Sequence, residues 1–218
     1  MGGGKHSPDG LSLLRWGEGR AMPWKNGGGI THEIAVRPPD AGFETFDWRL
    51  SMAEVASDGP FSAFPGIDRT LALMTGAGIR LCLADGGEIR VDAPGAPARF
   101  DGEMACEGRL IDGPILDLNV MTRRARMTHR LSLVTLDPAG PALTLPAGEA
   151  AADGEEGSPA ATALICHSGV AMVGTGAEQL DLRPRDVLIR ETGAGPHLRL
   201  EAGCGLPAVV YRVEILRR

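Results

Sequence analysis

Aromatic side chains are scarce in this chain: five Phe, three Trp and one Tyr make up 4% of 218 residues. Positive charge is also short, with 22 Lys and Arg against 28 Asp and Glu, a net of −6. Together these argue against a nucleic-acid partner, which would call for a basic surface and stacking platforms. No polybasic run marks a membrane surface, and no apolar run approaches the roughly 18 residues of a spanning helix. The opening residues, from Met1 to Pro8, hold no apolar stretch of the kind a secretory signal requires, so a cytoplasmic protein is expected. Four cysteines, Cys82, Cys106, Cys166 and Cys204, stand far apart with no Cys-x-x-Cys pair. That spacing reads as reduced thiols and speaks against a zinc site.

Other chemistry is missing as well. The five histidines, His6, His32, His129, His167 and His197, are isolated from one another. No His-x-His with a following Glu exists, so neither a metal nor a cofactor is expected. Cys166-His167-Ser168-Gly169 lacks the first glycine of a nucleophile elbow. The glycines at 27–29 are followed by no Gly-Lys-Ser/Thr, which removes a phosphate-binding loop.

Glycine and proline are plentiful, at 31 and 16 residues. That density suits turns between short strands and breaks most windows long enough for a helix. The cleanest period-two signal is Phe46–Val55, with Phe46, Trp48, Leu50 and Met52 on one face and Asp47, Arg49 and Ser51 on the other. This is the pattern of a half-buried strand. Residues 114–122 repeat it, with Asp117, Asn119, Met121 and Arg123 sharing a face. Asp85-Gly86-Gly87 reads as a hairpin turn, and Asp181–Arg190 as a solvated strand. Residues 71–81 and 162–172 match weakly at a spacing of 91, pairing Leu73 with Leu164 and Gly78 with Gly169. Two related β-barrel halves follow from that repeat.

The expected architecture is all-β: a double-stranded β-helix (bicupin) with two barrel halves in one chain. Residues 1–14 are read as a flexible N-terminal segment, in which Leu11, Leu13 and Leu14 could begin an edge strand. Residues 15–136 form the first barrel with the ligand site, 137–160 a linker or surface loop, and 161–218 the second barrel half.

The most unusual run is Met22-Pro-Trp-Lys-Asn-Gly-Gly-Gly-Ile-Thr-His-Glu33. A large ring, a positive charge and an amide precede three glycines that let backbone approach closely. Trp24, Lys25 and Asn26 are taken as one wall of a pocket. Arg49, Ser51, Arg69, Asn119 and Arg123 supply polar contacts from strands, since arginine can grip a carboxylate through two parallel hydrogen bonds. The ligand expected is a small anionic or amide-bearing molecule. Structural ion pairs involving Asp47, Arg69, Asp117 and Arg124 would account for part of the same polarity.

Four stretches resemble the HutD/Ves family of double-barrel cupin proteins. They are Met22–Ala35, Phe46–Ala53, Gly59–Arg69 and Asp112–Arg124; the second half of the chain shares only the strand pattern. The resemblance implies a bicupin without the metal ligands of enzymatic cupins. It also implies an accessory or regulatory role in bacterial histidine utilisation, with urocanate or formylglutamate as the ligand. It carries over no catalytic residue. The alternative is a cofactor-free cupin enzyme, an isomerase or hydrolase, with Lys25, His32 or a buried Asp as acid or base. An exposed barrel edge would allow a homodimer.

Overall fold

The computed structural model describes residues 5–6, 10–24, 27–147, 156–176, 178–191 and 195–218. They form twenty strands and no helix among the described residues. Strands β1 (Lys5–His6) and β2 (Leu11–Leu14) open the chain. There follow β3 (Arg20–Pro23), β4 (Gly29–Arg37), β5 (Trp48–Val55), β6 (Gly59–Pro60), β7 (Ile67–Thr75), β8 (Ile79–Leu83), β9 (Glu88–Val91), β10 (Ala98–Asp101), β11 (Cys106–Leu110) and β12 (Ile115–Arg123). The last eight are β13 (Met127–Leu136), β14 (Leu143–Leu145), β15 (Pro159–Ser168), β16 (Ala171–Gly174), β17 (Gln179–Leu182), β18 (Val187–Glu191), β19 (Leu198–Ala202) and β20 (Ala208–Arg217).

Two units result. The central unit is Gly19–Thr128; the terminal unit joins the residues up to Glu18 with His129–Arg218. The central unit has a six-stranded sheet, β10-β7-β12-β5-β4-β3, and a four-stranded sheet, β6-β11-β8-β9. The terminal unit has β1-β2-β18-β15-β20-β13 and β14-β19-β16-β17. Adding eight to the label of each strand from β5 to β12 reproduces the order of β13 to β20 in both sheets. The weak sequence repeat therefore has a topological counterpart.

The expected boundaries differ from these units. Residues 11–14 are a sheet strand: β2 pairs with β18, Leu13 opposite Leu188. Apolar Leu11 and Leu13 pack on the terminal core, so the segment is held by partners about 175 residues away in sequence. The stretch 137–160 contains β14, which pairs with β19. Asp181–Arg190 is not solvated either. Val187, Leu188 and Ile189 are buried because β2 and β15 flank β18. Asp186 accepts hydrogen bonds from the Arg15 guanidinium at 2.6 Å and the Trp16 amide at 3.0 Å. The hairpin at residues 84–87 is present: the Gly87 amide donates to Asp85 Oδ1 at 2.9 Å, and Gly86 takes φ +88.

Each unit has its own apolar core. In the central unit Val55, Leu71, Leu73, Ile79, Leu81, Val91 and Ile115 pack together. In the terminal unit Leu136, Leu164, Leu188, Leu200 and Val210 do so. Strand β5 departs from the half-buried pattern, because Trp48 through Ala53 are all buried. Alternation along β5 separates an apolar face from a polar one, and both are withdrawn from solvent.

Candidate functional site

Three adjacent strands build a polar floor. The register sets Arg49 (β5), Met121 (β12) and Arg69 (β7) in one row, and Ser51, Asn119 and Leu71 in the next. Ala53, Asp117 and Leu73 make a third. Side chains two residues apart share a face of a strand, so these rows point the same way. Two irregularities flank them. Pairing of β12 with β7 shifts between Leu116 and Asp117, and pairing of β4 with β5 shifts between Glu33 and Ala35. Such bulges twist a strand locally and re-aim its side chains.

The floor closes one side of a cavity of about 640 Å³. Its remaining wall is largely aromatic: Trp24, Phe43, Phe61 and Phe64, with Thr31 and Ser62 between them. Phe43 is the most open of these at 54% exposure, and its ring stands 5.7 Å from that of Phe64. Trp24 is fixed by its indole N–H, which donates to Thr31 Oγ1 at 2.8 Å, and by packing on Gly29. A side chain at Gly29 would strike the Glu54 carbonyl and the Trp24 ring. Gly29→Ala is therefore expected to cost about 1–3 kcal/mol of stability, the usual price of overpacking. Urea denaturation checks this, and an unchanged midpoint would mean that Trp24 is not held by Gly29. Phe61 rests in the same way on Gly108, where a Cβ would meet its ring.

Arg69 is 4% exposed and central to the site. Its guanidinium donates to Asn119 Oδ1 at 3.3 and 3.4 Å and to the Ser62 carbonyl at 3.2 Å. The rings of Phe61, Phe64 and Phe100 surround it, with centroids 5.3, 5.4 and 5.1 Å away. No carboxylate forms an ion pair with it among the described residues. Burial pulls its pKa down to about 10, against the opposing field of Asp117. It remains a cation at neutral pH.

Arg49 is differently placed. It is 5% exposed, but its Nε donates to Glu33 at 2.9 Å and its Nη1 to Ser51 at 3.2 Å. Its guanidinium also lies 5.3 Å from the Phe43 ring centre. Its charge is thus largely matched within the protein.

Asp117 has no exposed surface, and neither of its oxygens has a hydrogen-bond partner. Burial pushes its carboxyl up to about 7, because the charged form is desolvated. The charge of Arg69, the Ala53 amide and the Asn119 side chain oppose that rise, the last two without reaching hydrogen-bond geometry.

Of the residues expected from sequence, Trp24, Arg49, Ser51, Arg69 and Asn119 come together at the cavity. Lys25 and Asn26 lie outside the described residues. Arg123 does not line the cavity; it donates to the Phe46 carbonyl at 2.9 Å and the Glu44 carbonyl at 2.8 Å. It shares a face with Asn119 but stands beyond the last row of the floor, where it ties down the loop before β5. His32 faces Glu54 at 2.8 Å and does not line the cavity. Ion pairing does account for Asp47, with Arg126 at 2.9 Å, and for Arg124, with Asp68 at 2.6 Å. Sequence reasoning missed the phenylalanines and Asp117 as site residues. The signal for Phe61 and Phe64 was their rigid Gly-Pro-flanked loop; for Asp117 it was only the shared face with Asn119. No group of three or more His, Cys, Asp or Glu is arranged to hold a metal among the described residues.

The family described as HutD matches residues 17–206. The chain belongs to the HutD family. An uncharacterized 21.2 kDa protein in the hutC 3′ region of Pseudomonas putida is 40% identical over 121 residues, 56% of this chain and 63% of that protein. Protein Ves of Citrobacter koseri is 36% identical over 120 residues, 49% of this chain and 56% of its own. The chain thus matches less than two thirds of the length of these relatives. Among solved structures, a conserved protein of unknown function from Pseudomonas aeruginosa PAO1 aligns with a TM-score of 0.78 at 31% identity, covering 94% of this chain and 98% of its own. HutD from Pseudomonas fluorescens SBW25 aligns at 0.74 and 27%, covering 95% and 99%. At 10% identity, a salicylate 1,2-dioxygenase of Pseudoaminobacter salicylatoxidans aligns with a TM-score of 0.60, which shows a shared cupin-like fold.

Proposed function

We propose that the central unit binds a small carboxylic acid and that the protein serves histidine utilisation as a cytoplasmic accessory or regulatory component. The observation that carries this reading is Arg69: a buried cation on a cavity wall, without a carboxylate partner among the described residues. A ligand carboxylate would complete its coordination, with Asn119 and Ser51 beside it and aromatic rings on the ligand body. Most ligand pockets are of this type, apolar with a few placed polar groups, and about 300–1,000 Å³ in size. Urocanate and formylglutamate, acids with an imidazole and a formamide, suit a cavity of about 640 Å³. Each unit is read as one cupin barrel, making the chain a bicupin with its site in the barrel of residues 19–128.

Thermal denaturation with these acids tests the reading. An acid at 100 times its Kd adds about 2.7 kcal/mol, or roughly 5–10 °C for a chain of this size. No shift with either acid, nor with other small carboxylates, would contradict it.

Asp117 supports a second reading. A carboxyl raised to about 7 by burial at a cavity wall is suited to general acid–base work. In a cofactor-free isomerase or hydrolase it would be the proton carrier, ahead of His32. Product formation from a bound acid by metal-free protein, lost in Asp117→Asn, would favour that reading over simple binding.

A further inference from the structure

Asp117 lines the cavity, has no exposed surface and has no hydrogen-bond partner on either oxygen. Buried polar atoms left unpaired are rare and costly, and each calls for an explanation. The register shift between Leu116 and Asp117 occurs at this residue. The duplicated unit treats the corresponding position differently. Leu73 pairs with Asp117, and Leu164, its counterpart in the repeat, pairs with Arg212. Arg212 forms an ion pair with Glu214 at 2.6 Å through Nη2, although its buried Nε has no hydrogen-bond partner. In the central unit Asp117 is buried at the cavity wall with no ion-pair partner among the described residues.

We infer that Asp117 contacts the ligand and accepts a hydrogen bond from one of its N–H groups, so that the pocket selects acids that also carry a nitrogen donor. This rests on Arg69 holding the ligand carboxylate. Protonated or not, a carboxyl keeps an oxygen that can only accept. A ligand with nothing but carboxylate and hydrocarbon would leave that oxygen unpaired. Asn119 stands between the two ends: its Oδ1 faces Arg69, and Asp117 is two residues further along β12, roughly 7 Å. The ligand therefore carries its anion and its N–H at separate ends, with Ala53 and Met121 beneath its body. A site built to hydrogen-bond an N–H discriminates against an analogue lacking it, because the site's own buried group is then stranded.

Two isosteric pairs of acids test this: succinamate against levulinate, and glutaramate against 5-oxohexanoate. Each pair exchanges a terminal NH2 for CH3. Calorimetric titration of the full chain is expected to show each amide acid binding about tenfold tighter than its methyl ketone. The preference disappears in Asp117→Leu, while the ketone acids bind at least as tightly as before. Should that variant not fold, Asp117→Ala, which also removes the acceptor oxygen, takes its place and must also remove the preference. Equal affinities within both pairs, with binding still lost in Arg69→Met, would overturn the role of Asp117 alone. So would a preference that survives the Asp117 substitution. No binding by any of the four acids would overturn the Arg69 reading and this inference with it.

Discussion

Asp117→Leu is expected to stabilise the free protein while impairing its choice of ligand. The carboxyl is fully buried with no hydrogen bond, and a buried group in that condition costs about 1–3 kcal/mol. Leucine is close to it in size and would join Ala53, Leu73 and Ile115, which already pack around this end of the floor. The gain depends on pH. The folded pKa of about 7 lies above the ordinary value of 3.8, so the folded state holds a proton that the unfolded state releases. Wild-type stability from this group is fully present below about pH 4 and lost as pH rises through 7. The loss is on the order of 4 kcal/mol when the shift is converted at about 1.4 kcal/mol per pH unit. The advantage of leucine over aspartate should therefore be larger at pH 8 than at pH 5. Other groups titrate in this window, so the difference between variant and wild type is the informative quantity. Denaturant unfolding of both proteins at the two pH values measures it. A destabilised variant, or an advantage independent of pH, would show that Asp117 is satisfied by the protein itself.

Arg69→Met should abolish acid binding in the range where wild type saturates. A desolvated, hydrogen-bonded charge pair typically costs 2–5 kcal/mol when one partner is truncated. At about 1.4 kcal/mol per tenfold, an affinity loss on the order of 100-fold follows. Methionine retains much of the length needed to fill the space among Phe61, Phe64 and Phe100. It removes a cation whose pKa burial has already lowered, so the unliganded fold should survive. Arg49 provides the contrast. Its Nε–Glu33 and Nη1–Ser51 bonds occupy much of its guanidinium. Arg49→Met should weaken binding less than Arg69→Met and destabilise the protein more, since Glu33 loses its partner. Thermal-shift titrations of both variants over a range of acid concentrations would rank them. A larger affinity loss at Arg49 would move the carboxylate to that side of the floor.

The strand rhythm of this chain was legible because glycine and proline mark nearly every turn. The register along Trp48–Val55 was legible too, since one slip would have placed Trp48 where Arg49 stands. Burial was not. Alternation sorted β5 into an apolar and a polar face, and the polar face of a cavity has the same pattern as one in water. Arg123 illustrates a related failure: it shares a face with Asn119 but extends past the floor to the carbonyls of Glu44 and Phe46. Position within a strand decides such cases, and alternation carries no information about it. The partner of β2 lies too far along the chain for any local pattern to find. Asp117 was visible as a polar residue on the right face. Its lack of a partner arises only when β7, β12 and β5 are assembled, with the register shift beside it.

Calorimetric titration of the purified chain with urocanate and with formylglutamate, repeated on Arg69→Met, tests the central claim most directly. The account predicts that at least one acid binds with one molecule per chain and that this binding is lost in the variant. Binding of undiminished strength in Arg69→Met, or no heat of binding from either acid in wild type, would contradict it.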